Sequence, residues 1–263
     1  MRLILALMTA LFAVPAMAQD GGLTRLDTAD QARGWDAVGR IDLGRRGFCT
    51  GALISPDLVL TAAHCLFDKE TGARIDAATI EFRAGWRNGR AAAYRKVRRA
   101  VPHPEYVYGG QEGAARVAYD LALIELDQPI RLPSVVPFPV DGRPAEGDEV
   151  GVVSYAQDRS DAPSLQQLCH VIAGQPEVLV LSCNVDFGSS GAPIFALRDG
   201  QVRVVSVVSA KADYQGQKVA LGTALEAPLD TLLTEMQATS SPFAHPGTLE
   251  GGTAAASAKF VKP

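Results

Sequence analysis

Three short stretches carry side chains whose types and order could do chemistry. Gly188-Ser189-Ser190-Gly191-Ala192-Pro193 sets serines in a small-residue turn, Leu60-Thr61-Ala62-Ala63-His64-Cys65 runs an apolar strand into a histidine, and Tyr119-Asp120-Leu121-Ala122-Leu123-Ile124-Glu125-Leu126 puts a carboxylate ahead of an apolar run. Taken singly, each has a structural explanation: a turn between strands, a histidine beside a buried cysteine, a carboxylate capping a strand. Taken together they supply the roles of acyl transfer. A serine hydroxyl is a poor nucleophile until a base removes its proton. The imidazole that removes it needs a partner to fix its tautomer, and the oxyanion that forms needs N–H donors. Gly188 would let backbone N–H groups converge on that oxyanion, and Gly191 would leave room for the reacting carbonyl.

These residues have to be positioned by strands. From Ala37 the chain shows short apolar or alternating runs punctuated by Gly, Pro and Asp: 37–43, 48–54, 58–61, 79–83, 93–101 and 121–126. Such runs predict an all-β rhythm. Pro129, Pro133, Pro137 and Pro139 then interrupt any ladder, because proline lacks the N–H it needs, and mark a connector. A second set follows at 149–154, 165–172, 178–182, 193–197 and 202–210. In the helix predicted over 228–237, Leu229, Leu232, Leu233 and Met236 share one face.

Residues 1–18 are a positive start, an apolar run and small residues at a cut before Gln19, the pattern of a secretory signal peptide. The run is short for a bilayer, so no stable membrane insertion is expected. The net charge of −4 argues against nucleic acid as a partner, and the basic run Arg95 to Arg99 reads as a solvated strand face. All four cysteines lie in the exported part, spaced unlike zinc or redox sites, so two disulfides are expected and no metal or cofactor. Four cysteines allow three pairings. Cys169 and Cys183 fall on consecutive predicted strands around Ala173-Gly174-Gln175-Pro176, which suits a cross-linked hairpin.

The three motifs together resemble the chymotrypsin-like (trypsin-fold) serine proteases, over the chain from about Trp35 to the helix. The resemblance implies two packed six-stranded antiparallel β-barrels followed by a helix. It implies His64 as general base and acid, Asp120 as its orienting carboxylate, Ser190 as nucleophile, and Gly188 and Ser190 as oxyanion-hole donors. It pairs Cys49 with Cys65, which leaves Cys169 for Cys183. The implied organisation is a signal peptide at 1–18, an N-terminal segment or propeptide at 19–34, a protease domain at 35–237, and a disordered tail at 238–263. Within the domain, barrel one covers about 35–130, barrel two about 140–224, and the helix 228–237. The implied activity is an exported, monomeric endopeptidase acting on protein or peptide substrates.

Two departures refine this. Where many family members carry an aspartate that pairs with a freed N-terminus, this chain has Ser189, and no Ile-Val-Gly-Gly occurs near Trp35. The pattern looks more like the bacterial branch of V8-type glutamyl endopeptidases. Yet the strand 205–210, which includes the implied pocket residue Val208, holds no histidine, and the implied pocket base is Asn184 rather than a carboxylate. Uncharged side chains are therefore expected before the cut. The alternative, a catalytically silent protease-like binding protein, would normally show a broken triad. An α/β-hydrolase esterase would need G-x-S-x-G, which the turn lacks.

Overall fold

The structure is a computed structural model that describes residues 22–110 and 113–238. The expected signal peptide, and the expected tail from residue 239 onward, lie outside the described residues.

The first half forms six strands: β2 (Val38–Asp42), β3 (Phe48–Ser55), β4 (Leu58–Thr61), β5 (Glu81–Ala84), β6 (Ala93–Pro102) and β7 (Ala122–Leu126), following a two-residue strand β1 (Thr24–Arg25). Strands β2 to β7 close into a barrel in the order β2-β3-β4-β7-β6-β5. Alternation fixes which face looks inward. In β5, Phe82 and Ala84 are buried, while Glu81 and Arg83 are partly exposed. The basic run on β6 faces outward and meets acidic neighbours: Lys96 lies 3.2 Å from Glu81, Arg98 lies 2.9 Å from Glu125, and Arg99 also pairs with Glu125.

The second half forms β8 (Glu149–Ala156), β9 (Arg159–Gln175), β10 (Val178–Leu181), β11 (Pro193–Arg198), β12 (Gln201–Tyr214) and β13 (Gln217–Ala224). Their order is β9-β10-β13-β12-β11-β8, and β8 pairs back onto β9. Short β1 adds a seventh strand on the outer side of β9, where Leu26 is buried and its N–H donates to the Pro163 carbonyl at 2.9 Å. Two packed antiparallel β-barrels with a C-terminal helix is thus the observed architecture, with this N-terminal strand as an addition to it. Trp35, Phe138 and Phe195 join the halves, with ring centroids 4.7 Å apart for Phe138–Phe195 and 5.1 Å for Trp35–Phe195.

Two helices complete the fold. Short α1 (Ala114–Ala118) precedes β7, and α2 (Glu226–Ala238) buries Pro228, Leu229, Leu232 and Met236 as it packs back on β6 and β7 of the first barrel. Among the described residues no helix is long and apolar enough to cross a membrane.

Candidate active site

Strand β4 ends at Thr61 and turns through the 3-10 segment Ala63–Leu66, with Ala62 and Ala63 fully buried. Small side chains let this turn press against the barrel, and His64 at its outer edge remains partly exposed. The next residue, Cys65, is disulfide-bonded to Cys49 of β3 with a Cα separation of 6.2 Å, so the turn is tied covalently to the neighbouring strand. Cys169 and Cys183 form the second disulfide, with Cα atoms 5.1 Å apart.

Asp120 sits between α1 and β7 and is 1% exposed. A carboxylate there would be costly unless fully hydrogen-bonded. It is so bonded. Oδ1 accepts the His64 backbone N–H at 2.8 Å, and Oδ2 accepts His64 Nδ1–H at 2.7 Å and the Ser209 hydroxyl. Burial opposes ionisation of Asp120, but the charge and hydrogen bonds of His64, with the bond from Ser209, hold its carboxyl below the usual carboxylate value. Because the carboxylate accepts from Nδ1, the imidazole carries its hydrogen there and keeps the Nε2 lone pair for a proton. His64 and Ser190 line the same cavity of about 370 Å³ between the barrels.

The serine turn has an unusual backbone. Gly188 has φ +97° and Gly191 has φ +77°. A Cβ at Gly188 would lie 2.5 Å from the Phe48 ring, and one at Gly191 would lie 2.0 Å from Thr61 Oγ1 and 2.3 Å from the Thr50 carbonyl oxygen, so neither position admits a side chain. Within the turn the Ser189, Gly191 and Ala192 N–H groups donate to the carbonyls of Asp186, Val208 and Ser189. The N–H groups of Gly188 and Ser190 donate to no protein group among the described residues. Two uncommitted donors, one on Ser190 itself and one two residues before it, are what a developing oxyanion requires.

Several residues that sequence reasoning missed hold this arrangement. Thr50, fully buried in β3, donates its hydroxyl to the Gly188 carbonyl at 2.8 Å, and its N–H to the Ser190 carbonyl at 2.9 Å. Ser209 and Thr223, from the second barrel, brace the Asp120 segment; Thr223 Oγ1 donates to the Val117 carbonyl at 2.6 Å. No local pattern distinguishes these hydroxyls from other strand Ser and Thr. Ser189 is fully buried, with its Oγ 3.2 Å from both Ser154 Oγ and the Tyr155 carbonyl and 3.4 Å from the Arg159 guanidinium.

Val208 lines the 370 Å³ cavity, as do Val185, Lys211 and Asp186. Asn184 does not. Its N–H donates to Gln166 Oε1 at 2.7 Å, and it faces an adjoining cavity of about 620 Å³ that neither His64 nor Ser190 lines. Of the other histidines, His103 is buried and stacked on Tyr119 at 5.0 Å, and His170 lies on β9. Ligand atoms of Cys49, His64 and Cys65 lie within 4.8 Å of one another, but both sulfurs are in the disulfide, which leaves no thiolate for a metal.

Comparison with known proteins bears on the family and the fold. A glutamyl endopeptidase of Bacillus licheniformis is 26% identical over 150 residues, 57% of this chain and 45% of that one. Kallikrein-15 of Saguinus oedipus is 34% identical over 146 residues, 54% of this chain and 52% of its own. A modular serine protease of Drosophila melanogaster is 36% identical over 90 residues, 34% of this chain and 14% of its own. The chain therefore spans about half, at most, of the length of these relatives. A solved Glu endopeptidase in complex with MPD superposes with a TM-score of 0.68 at 19% identity, covering 84% of this chain and 99% of that one, and shares the fold. The Trypsin family profile matches residues 27–225, and the chain belongs to the trypsin family.

Proposed function

We propose that this chain is an exported serine endopeptidase that hydrolyses peptide bonds through His64, Asp120 and Ser190. The observation that carries the reading is the Asp120 carboxylate bonded to the backbone N–H and the Nδ1–H of His64, beside a serine whose own N–H and that of Gly188 are uncommitted. Ser190 Oγ attacks the carbonyl carbon of the scissile bond while His64 Nε2 takes its proton. The oxygen of the tetrahedral intermediate receives the Gly188 and Ser190 N–H groups. His64 then gives the proton to the leaving amine, leaving an acyl-enzyme on Ser190. A water molecule, deprotonated by the same nitrogen, releases the acid and restores the serine.

In this reading residues 1–18 direct export and are removed, the protease domain runs over 35–237, and the chain acts as a monomer on protein or peptide substrates. The active turn does not wait for a new N-terminus, because buried Ser189 is already held by Ser154, Tyr155 and Arg159. Treatment of the purified protein with an organophosphonate serine probe, followed by mass spectrometry, tests all of this. The expected result is a label on Ser190, turnover of an unfolded protein substrate, and a mature chain starting at Gln19. A folded protein with neither label nor turnover would be a binding protein instead. Activity that appears only after a cut near Trp35, and disappears when the new amine is blocked, would overturn the activation reading.

A further inference from the structure

Two cavities adjoin at the cleft: one of about 370 Å³ that His64 and Ser190 line, and one of about 620 Å³ that Asn184 lines. Val185, Asp186 and Lys211 line both, so the Asp186–Lys211 contact stands between them. Lys211 Nζ lies 2.7 Å from Asp186 Oδ1 and 4.3 Å from the centroid of the Phe187 ring. Asp186 is anchored to the serine turn. Its Oδ1 accepts the Phe187 N–H at 2.8 Å, its carbonyl accepts the Ser189 N–H at 2.8 Å, and its own N–H donates to Ser189 Oγ at 3.3 Å. Lys211 is the long, rotatable partner, and both side chains are 50% exposed.

From this placement we propose that the Asp186–Lys211 pair is a gate across the substrate pocket, which keeps it short and makes the enzyme select small side chains over long ones before the cut. The proposal rests on the endopeptidase reading above. With the gate closed, a side chain that enters the 370 Å³ cavity beside Ser190 has only the space in front of the pair. A long side chain has to displace Lys211 from both the carboxylate and the ring. A half-exposed ion pair and a cation over an aromatic face together oppose this by about tenfold, a selective barrier rather than a wall. Charge weighs against basic side chains in addition. A basic side chain would meet Lys69, Arg116 and Lys211 on the cavity wall, where Asp186 is already paired with Lys211.

The test is a set of fluorogenic peptides that differ only in the residue before the cut: Ala, Val, Leu, Phe, Glu or Lys. The full chain should favour Ala and Val. Lys211→Ala should raise the ratio of kcat/KM for Phe over Ala about tenfold, the barrier stated above. Lys211→Met and Asp186→Asn, which break the pair with little change in volume, should move the ratio the same way, and their combination should move it no further than the larger single change. Raising salt from about 0.01 to about 1 M, which shortens the screening length roughly tenfold, should raise the ratio in the native protein but not in Lys211→Met. This arm requires no variant to fold. An unchanged ratio in Lys211→Ala, a native ratio indifferent to salt, or a native preference for Phe, Glu or Lys overturns the gate. If Ser190 still takes the organophosphonate, the gate alone has failed; if no label and no cleavage of any peptide is seen, the endopeptidase reading fails with it.

Discussion

The two barrels contribute differently to the cleft. The first presents His64 and Asp120 at the ends of β4 and β7, strands of four and five residues whose inward faces are packed in the core. The second presents Ser190 on a glycine turn, and its strands β9 and β12, 17 and 14 residues long, run past the barrel into more exposed segments. One of those segments carries Lys211. The proposed proton-handling groups therefore lie beside the shorter, more buried strands, and the proposed gate lies beside the longer, more exposed ones. Each barrel also holds a residue that the proposed mechanism takes from the other. Thr50 of the first grips the turn of Ser190, while Ser209 and Thr223 of the second brace Asp120. The active geometry is thus a property of the docked pair.

The largest effect should come from the second barrel. Ser190→Ala should lower kcat by on the order of a millionfold in single-turnover and steady-state assays, whereas Ser189→Ala should retain a labelled Ser190. On the first barrel, Asp120→Asn should lower kcat by about ten thousandfold, because an amide keeps an acceptor at only one of the two oxygen positions and lets the imidazole adopt the other tautomer. Equal losses from the two would mean that the carboxylate does more than orient its neighbour.

Removing the staple of the first barrel tests its rigidity. Replacing Cys49 and Cys65 by alanine opens a loop with a sequence separation of 16 residues. In the chain-entropy view this should cost about 3 kcal/mol of stability by denaturant titration. It should also lower kcat at temperatures where the variant is still folded, since the bond holds the turn bearing His64. Peptide mapping without reduction should find Cys49 joined to Cys65 and Cys169 to Cys183.

The reciprocal bracing is tested by Thr50→Val, which preserves volume but removes the hydroxyl. The Gly188 carbonyl and the Tyr155 N–H, which share that hydroxyl at 2.8 and 3.1 Å, would lose their partner. The expected cost is about 1–3 kcal/mol, with kcat falling more than KM rises. A stability loss with unchanged kcat would show that Thr50 holds the barrels together without aiming the serine.

The smallest effect concerns acid. The folded-state pKa of Asp120 is depressed, so the unfolded chain binds its proton first as pH falls. Its contribution to stability is present in full above the unfolded value of about 4 and is lost as pH drops through the folded value. Asp120→Asn should therefore flatten the decline in unfolding free energy below about pH 4 relative to the native protein. A parallel decline would assign the acid sensitivity to other carboxylates.

The order His, Asp, Ser, the glycines of the serine turn, most strands and α2 were legible in the amino-acid sequence, because each is a local pattern of side-chain type and spacing. Two missed strands had weaker marks. β13 follows Gln215-Gly216, both with positive φ, at 51° and 80°, which is a two-residue hairpin loop that the sequence does signal. β1 is a two-residue strand whose pairing with Leu165 and Ser164 leaves no periodicity to detect. The hydroxyls of Thr50, Ser209 and Thr223, and the Asp186–Lys211 pair between two cavities, belong to the tertiary structure alone. Their partners are 138, 89, 106 and 25 residues away; the first three bonds exist only once the barrels have docked, and the last only once the second barrel has folded. By itself the sequence determined which groups could react; the packing of one barrel on the other decided what holds them, and the folding of the second barrel decided what stands in the cavity beside them.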